Sequence, residues 1–151
     1  MNKIIAIVGM CGSGKSVASD LLVEKGYQKV YFGGVTLAKL KEKGLEVTPE
    51  NEKMMREKLR EDLGMGAFAK ILLPQIKELS SHGNVVLDGL YSWDEYKILD
   101  DELGKQMKTI AIICDKKIRY KRLSSREVRP LTKKEAQNRD LAEIENIAKA
   151  P

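Results

Sequence analysis

Cysteine and histidine are scarce in this chain: its 151 residues include two cysteines, Cys11 and Cys114, and one histidine, His82. Two thiols cannot form a disulfide framework, so a reducing cytoplasm is the expected setting. One imidazole, between Ser81 and Gly83, cannot build a metal site with them. Long apolar runs are also missing, the longest being five residues at 4–8 and again at 110–114. A membrane-spanning helix needs about 20 apolar residues and a secretory signal core about 7–15, so neither is expected. Repeats, low-complexity tracts and linkers are absent as well.

What is present is the composition of a folded domain. Hydrophobic residues make up 42% and charged residues 32%, which points to a globular chain rather than a disordered one. A chain of this length fits a single domain spanning residues 1–151, able to bury roughly 68–70% of its unfolded surface. The net charge is +5, but it is unevenly placed: residues 116–139 hold ten Lys/Arg against Glu127 and Glu135, leaving the rest of the chain at −3. A protein that coats nucleic acid more often spreads its basic charge over a broad face. One local cluster in a slightly acidic chain suits a phosphate-bearing small ligand equally well.

Apolar, β-branched runs predict strands at residues 2–8, 27–32, 84–88 and 108–114. Helical patterns lie between them. One runs from Ser16 to Lys25 and is stopped by Gly26; a short one is capped by Thr36 and ends near Lys43. Thr48-Pro49 starts a longer pattern that breaks at Gly64 and Gly66 and continues to about Ser80, with Pro74 expected to bend or interrupt it. Ser92-x-x-Glu95 and Thr132-x-x-Glu135 are capping boxes, and a basic helix runs from Asp115 to about Arg126. Strands alternating with helices predict an α/β domain with a parallel sheet covered on both faces.

The chemistry is concentrated in Gly9-Met10-Cys11-Gly12-Ser13-Gly14-Lys15-Ser16, an ungapped G-x-x-x-x-G-K-[ST] motif between a strand and a helix. Its glycines let backbone N–H groups turn inward around phosphate oxygens, and the helix N-terminus adds a favourable dipole. Lys15 is then expected to reach the β- and γ-phosphates, and the Ser16 hydroxyl to hold Mg²⁺; Val17 completes the nucleotide-binding run. The third strand ends at Asp88, a carboxylate at the carboxyl edge of the sheet that can hold Mg²⁺ or its waters. Arg119, Arg122 and Arg126 are spaced three and four apart, so these side chains are expected to share one helical face. With acidic partners at helical spacing nearly absent, phosphate contact is the expectation for that face, with Arg129 beyond it.

These residues together resemble the P-loop nucleotide and nucleoside kinase superfamily, most of all the proteins called adenylate kinase-related or dephospho-CoA kinase-like. The stretches G-M-x-G-S-G-K-S, L-R-E-x-x-G-M at residues 59–65, V-V-x-D-G and K-x-R-Y-x-R-L at 117–123 carry the likeness. It implies a three-layer P-loop sandwich with strands ordered second, third, first, fourth. It also implies MgATP-dependent phosphoryl transfer to a small, nucleotide-like or nucleotide-containing acceptor. The helices between about residues 35 and 80 would cradle that acceptor, through Gly34 and Arg60 and with Tyr91 stacking on it. A lid would lie near residues 119–132, where Arg122 matches an arginine that packs on adenine and Arg126 one that contacts phosphates.

The chain departs from that pattern in three places. Phe32-Gly33-Gly34 stands where relatives often have an acceptor-binding Asp or Arg, and Asp88-Gly89-Leu90 stands where an arginine often follows D-G. Both changes remove ionic contacts to an acceptor phosphate. No fifth strand is legible before Pro151, so the expectation is a truncated product or an incomplete chain, with the fourth strand left as an edge. A nucleotide-binding switch, or an RNA-associated protein with weak ATPase activity, is the alternative reading.

Overall fold

The computed structural model describes residues 1–127 and 130–145. Four strands form one parallel sheet: β1 (Ile4–Val8), β2 (Gln28–Tyr31), β3 (Val85–Asp88) and β4 (Met107–Ala111), in the spatial order β2-β3-β1-β4. Seven helices accompany them among the described residues: α1 (Lys15–Glu24), α2 (Gly33–Glu42), α3 (Pro49–Leu63), α4 (Ala67–His82), α5 (Trp93–Leu103), α6 (Lys116–Ser124) and α7 (Lys133–Ile144). The α/β reading and the strand order both hold.

The sheet separates its side chains by period-two alternation. Ile4, Ala6, Val85 and Leu87 face a core shared with Met55, Phe68, Leu72, Ile76 and Leu99 from α3, α4 and α5. Ile7 and Val86, also buried, lie outside that cluster, and α1 packs on β1, β2 and β3. The register aligns Ile7 with Asp88 and Tyr31 with Asp88. Parallel pairing therefore brings the ends of β1, β2 and β3 to one edge, where ligands bind in open α/β sheets.

Local signals set most of the boundaries. Thr48 accepts from the Asn51 amide at 3.2 Å with Pro49 in the first turn, and both expected capping boxes form. Three expectations fail. Helix α2 starts at Gly33, so Thr36 is an interior, buried residue rather than a cap; the chain turns directly from β2 into helix, and the two glycines do not stop it. Pro74 lies inside α4, which runs on unbroken, so the interruption half of that expectation fails. Helix α6 ends at Ser124, two residues short of Arg126, because the backbone leaves the helix there and returns to pair the Leu131 amide with the Leu123 carbonyl.

Among the described residues strand β4 is an edge, as expected, but it is not buried on both faces. Only Met107 is buried in it; residues 108–111 are exposed, and Ile113 beyond it is 92% exposed.

Candidate nucleotide and acceptor site

The loop between β1 and α1 is shaped by three glycines with positive φ: Gly9 at 149°, Gly12 at 80° and Gly14 at 104°. At Gly9 close approach matters as much as conformation. A β-carbon there would stand 2.5 Å from the Ile112 carbonyl oxygen and 2.8 Å from Ser13 Oγ. The Ser13 amide donates to Met10 O at 3.1 Å, which closes the turn. Ser16 and Val17 are exposed in the first turn of α1.

Lys15 folds over this loop. Its Nζ donates to Gly9 O at 2.6 Å and Met10 O at 3.1 Å, and it stands 5.7 Å from the centre of the Tyr91 ring. Burial pulls its pKa below the usual lysine value, against the pull of Glu143, Cys11 and Asp88 in the other direction. Asp88, at the end of β3, is buried; its Oδ2 accepts from Ser19 Oγ at 3.0 Å and pairs with Lys29 Nζ at 3.0 Å. Ser19 Oγ is also 2.9 Å from the Ser16 carbonyl, so its one proton is shared between Asp88 and the first turn of α1.

The basic helix α6 divides its arginines. Arg122 lies across the outside of the loop, its Nη1 donating to Gly12 O and Ser13 O, both at 3.3 Å. Arg126 is exposed past the helix end and does not share the expected face. Arg119 is buried and spoken for: it pairs with Asp140 of α7 through both terminal nitrogens, and Nη1 also reaches Cys11 O at 3.1 Å. The acidic partner missing at helical spacing arrives from another helix. Arg129 lies outside the described residues.

Beside the loop is a cavity of about 140 Å³ between β2, α2, α3 and the segment after β3. Arg60 and Tyr91, the two side chains expected to face an acceptor, line it. Gly34 does not; the preceding Gly33 forms that part of the wall. Burial lowers the Arg60 pKa, and its guanidinium sits 5.3 Å from the Phe68 ring centre. Burial pushes the Tyr91 hydroxyl up to about 12. It also raises the Glu95 carboxyl, although the Ser92 and Tyr91 amides and Arg60 pull the other way.

Several wall residues are ones that the sequence did not mark as site residues: Arg56, Glu52, Phe68, Thr36 and Arg139. The first had a signal, since residues 52, 56 and 60 repeat at helical spacing on α3. Thr36, 4% exposed, has an Oγ1 with no hydrogen-bond partner among the described residues. Arg139 had no local signal; it comes from α7, more than 100 residues from the loop it approaches. Arg56, Arg60 and Arg139 thus supply cations to a cavity whose strand-end positions lack them.

A model described as "AAA domain" matches residues 5–145. The chain belongs to that family. Among curated relatives, a UPF0200/UPF0201 protein of Archaeoglobus fulgidus is 38% identical over 83% of this chain and 39% of its own length. A UPF0200 protein of Methanosarcina mazei is 37% identical over 83% and 67%, respectively. The chain therefore spans well under half of the first and about two thirds of the second. Among solved structures, TT1252 from Thermus thermophilus superposes with a TM-score of 0.61 at 20% identity, covering 98% of this chain and 86% of that one. A gluconokinase from Sinorhizobium meliloti 1021 gives 0.55 at 15%, covering 90% and 71%. At these identities the neighbours show the fold alone, a P-loop kinase-like α/β sandwich.

Proposed function

We propose that the chain binds MgATP in the loop from Gly9 to Val17 and transfers the terminal phosphoryl group to a small nucleotide-like acceptor held in the neighbouring cavity. One observation carries this reading: Tyr91 is at once a wall of the cavity and the ring beneath Lys15, so the phosphate loop and the acceptor cavity adjoin. In the reaction an acceptor oxygen bonds to the γ-phosphorus, the bond to the β–γ bridging oxygen breaks, and ADP leaves. Little covalent chemistry falls to the protein, so positioning and charge neutralisation are its contribution.

Lys15 would leave its loop carbonyls for the phosphates, with Arg122 and Arg126 serving the nucleotide and its transferred group, and Arg60 and Tyr91 the acceptor. The residues present fit Mg²⁺, which usually keeps several waters and takes one or two protein oxygens plus phosphates. Ser16 would hold it, with Asp88 acting on its waters through the Ser19-linked corner. When bound, the ion neutralises charge on the phosphate oxygens. The cytoplasm is the proposed location, and no described helix is long and apolar enough to cross a membrane.

Thermal shift tests the binding half. A ligand at 100 times its Kd adds about 2.7 kcal/mol, worth several degrees at roughly 2–4 °C per kcal/mol. MgATP should raise the melting point, and Lys15→Ala should abolish the rise. Nucleosides, nucleotides and dephospho-CoA, screened for stimulated ADP formation, test the transfer half. MgATP binding with no acceptor dependence would leave a nucleotide switch instead of a kinase.

A further inference from the structure

The phosphate loop already holds an anion from the protein itself. Glu143, near the end of α7, accepts a hydrogen bond from the Cys11 amide through Oε2 at 3.3 Å. Its other oxygen, Oε1, accepts from Arg139 Nε at 3.4 Å. The Glu143 side chain is only 8% exposed, although the sequence separation from Cys11 is 132 residues. A backbone N–H inside a phosphate-binding motif is a donor meant for phosphate oxygen, and here a carboxylate takes it.

The surrounding groups make this more than a surface contact. Glu143 and Asp88 act on Lys15 in one direction and Arg139 in the other, so carboxylate, ammonium and guanidinium share one field at the loop. Helix α7 is held against α6 by the Arg119–Asp140 pair, and Arg119 also grips the Cys11 carbonyl. The same residue of the loop therefore has its carbonyl held by one helix and its amide by the next. Arg139 additionally lines the acceptor cavity, so whatever releases it from Glu143 changes both halves of the site.

We infer that Glu143 is an internal competitor for the nucleotide phosphates. This rests on the nucleotide-binding reading above and adds a specificity-determining residue to it. A phosphate chain entering the loop displaces the carboxylate from the Cys11 amide and takes over Arg139, which then bridges the nucleotide and the acceptor cavity. The carboxylate raises the threshold for weakly charged ligands, because only an anion stronger than itself recovers both lost partners. Ligands without phosphate gain nothing from expelling it.

The test is equilibrium binding of MgATP, inorganic tripolyphosphate and adenosine to the wild-type chain, Glu143→Gln and Glu143→Asp. Glutamine keeps the shape and loses the charge; aspartate keeps the charge and shortens the reach. A charge-assisted hydrogen bond is about twice as strong as a neutral one, and roughly 1.4 kcal/mol is tenfold in Kd. Both variants should bind MgATP and tripolyphosphate about tenfold more tightly, with adenosine binding unchanged. Unchanged or weaker phosphate binding in both folded variants, with the wild type binding MgATP, overturns the competitor role and leaves the nucleotide reading standing. Equal tightening for adenosine overturns it too, since the effect would then be steric or structural. If neither the wild type nor the variants bind MgATP or tripolyphosphate, both readings fall.

Discussion

Arg119 and Asp140 form a bidentate pair, Nη1 to Oδ1 at 2.8 Å and Nη2 to Oδ2 at 2.7 Å, with both side chains more than nine-tenths buried. Tyr120 donates a third hydrogen bond to Oδ2 at 3.1 Å. Removing one partner of such a pair strands the other charge, at about 3–5 kcal/mol. Asp140→Asn should therefore lower the melting point by on the order of 10 °C. The double replacement Arg119→Met with Asp140→Leu should recover most of that loss, because the desolvation penalty disappears with the charges. A double variant no more stable than Asp140→Asn would show that the pair's grip on Cys11 O matters more than its burial.

The same pair sets a pH dependence. The hydrogen bonds from Arg119, ahead of those from Tyr120, hold the Asp140 carboxyl below the usual carboxylate range. A group whose pKa is depressed by folding stabilises fully above its unfolded value, about 3.9, and loses that contribution as pH falls through the folded value. Denaturant midpoints of wild type and Asp140→Asn should hence differ at pH 7 and converge below about pH 4. Parallel curves down to acid would remove the ionic explanation.

Gly9 and Gly26 both have positive φ, at 149° and 88°, but different surroundings. An alanine β-carbon at Gly26 meets nothing within 4 Å, whereas at Gly9 it meets Ile112 O and Ser13 Oγ. Gly26→Ala should cost only the left-handed backbone penalty, about 1–2 kcal/mol, and leave MgATP binding intact. Gly9→Ala should abolish binding by forcing the loop away from Ile112. Isothermal titration of the two variants decides between conformational and steric roles.

Tyr91 should be silent in an ordinary tyrosine titration. The chain has five tyrosines, and burial moves the Tyr91 hydroxyl to about 12 from about 10. Between pH 9 and 11 the absorbance change of Tyr91→Phe should match that of the wild type. A drop of about one fifth would mean that Tyr91, 45% exposed over its whole surface, keeps its hydroxyl in water and titrates normally.

Kinetics separate the proposed arginine roles. Arg126→Ala should lower kcat and kcat/KM for ATP together if it acts on charge developing during transfer. Arg60→Ala should raise the acceptor KM while leaving kcat in place, since its contact would be equal in ground and transition states. Small, equal effects from both would reduce these side chains to solvated or structural charges.

The chain's own order of residues determined what is local. The phosphate loop is eight consecutive residues whose backbone path depends on their own glycines, and each capping box spans four residues, so both were legible without any partner. Alternating strand and helix patterns sufficed for a parallel sheet, whereas its strand order came from the family resemblance. Tertiary structure decided whatever depends on a charge finding its partner. The spacing of Arg119, Arg122 and Arg126 offered one phosphate-facing row. Instead, Asp140 on α7 neutralises Arg119, the loop carbonyls engage Arg122, and α6 ends before Arg126. Asp88 meets Lys29 from a neighbouring strand, and Arg139 and Glu143 reach the loop from the far end of the chain. Helical spacing reports only neighbours within one element, while electrostatic pairing in a packed interior acts across elements that only the fold brings within a few ångströms.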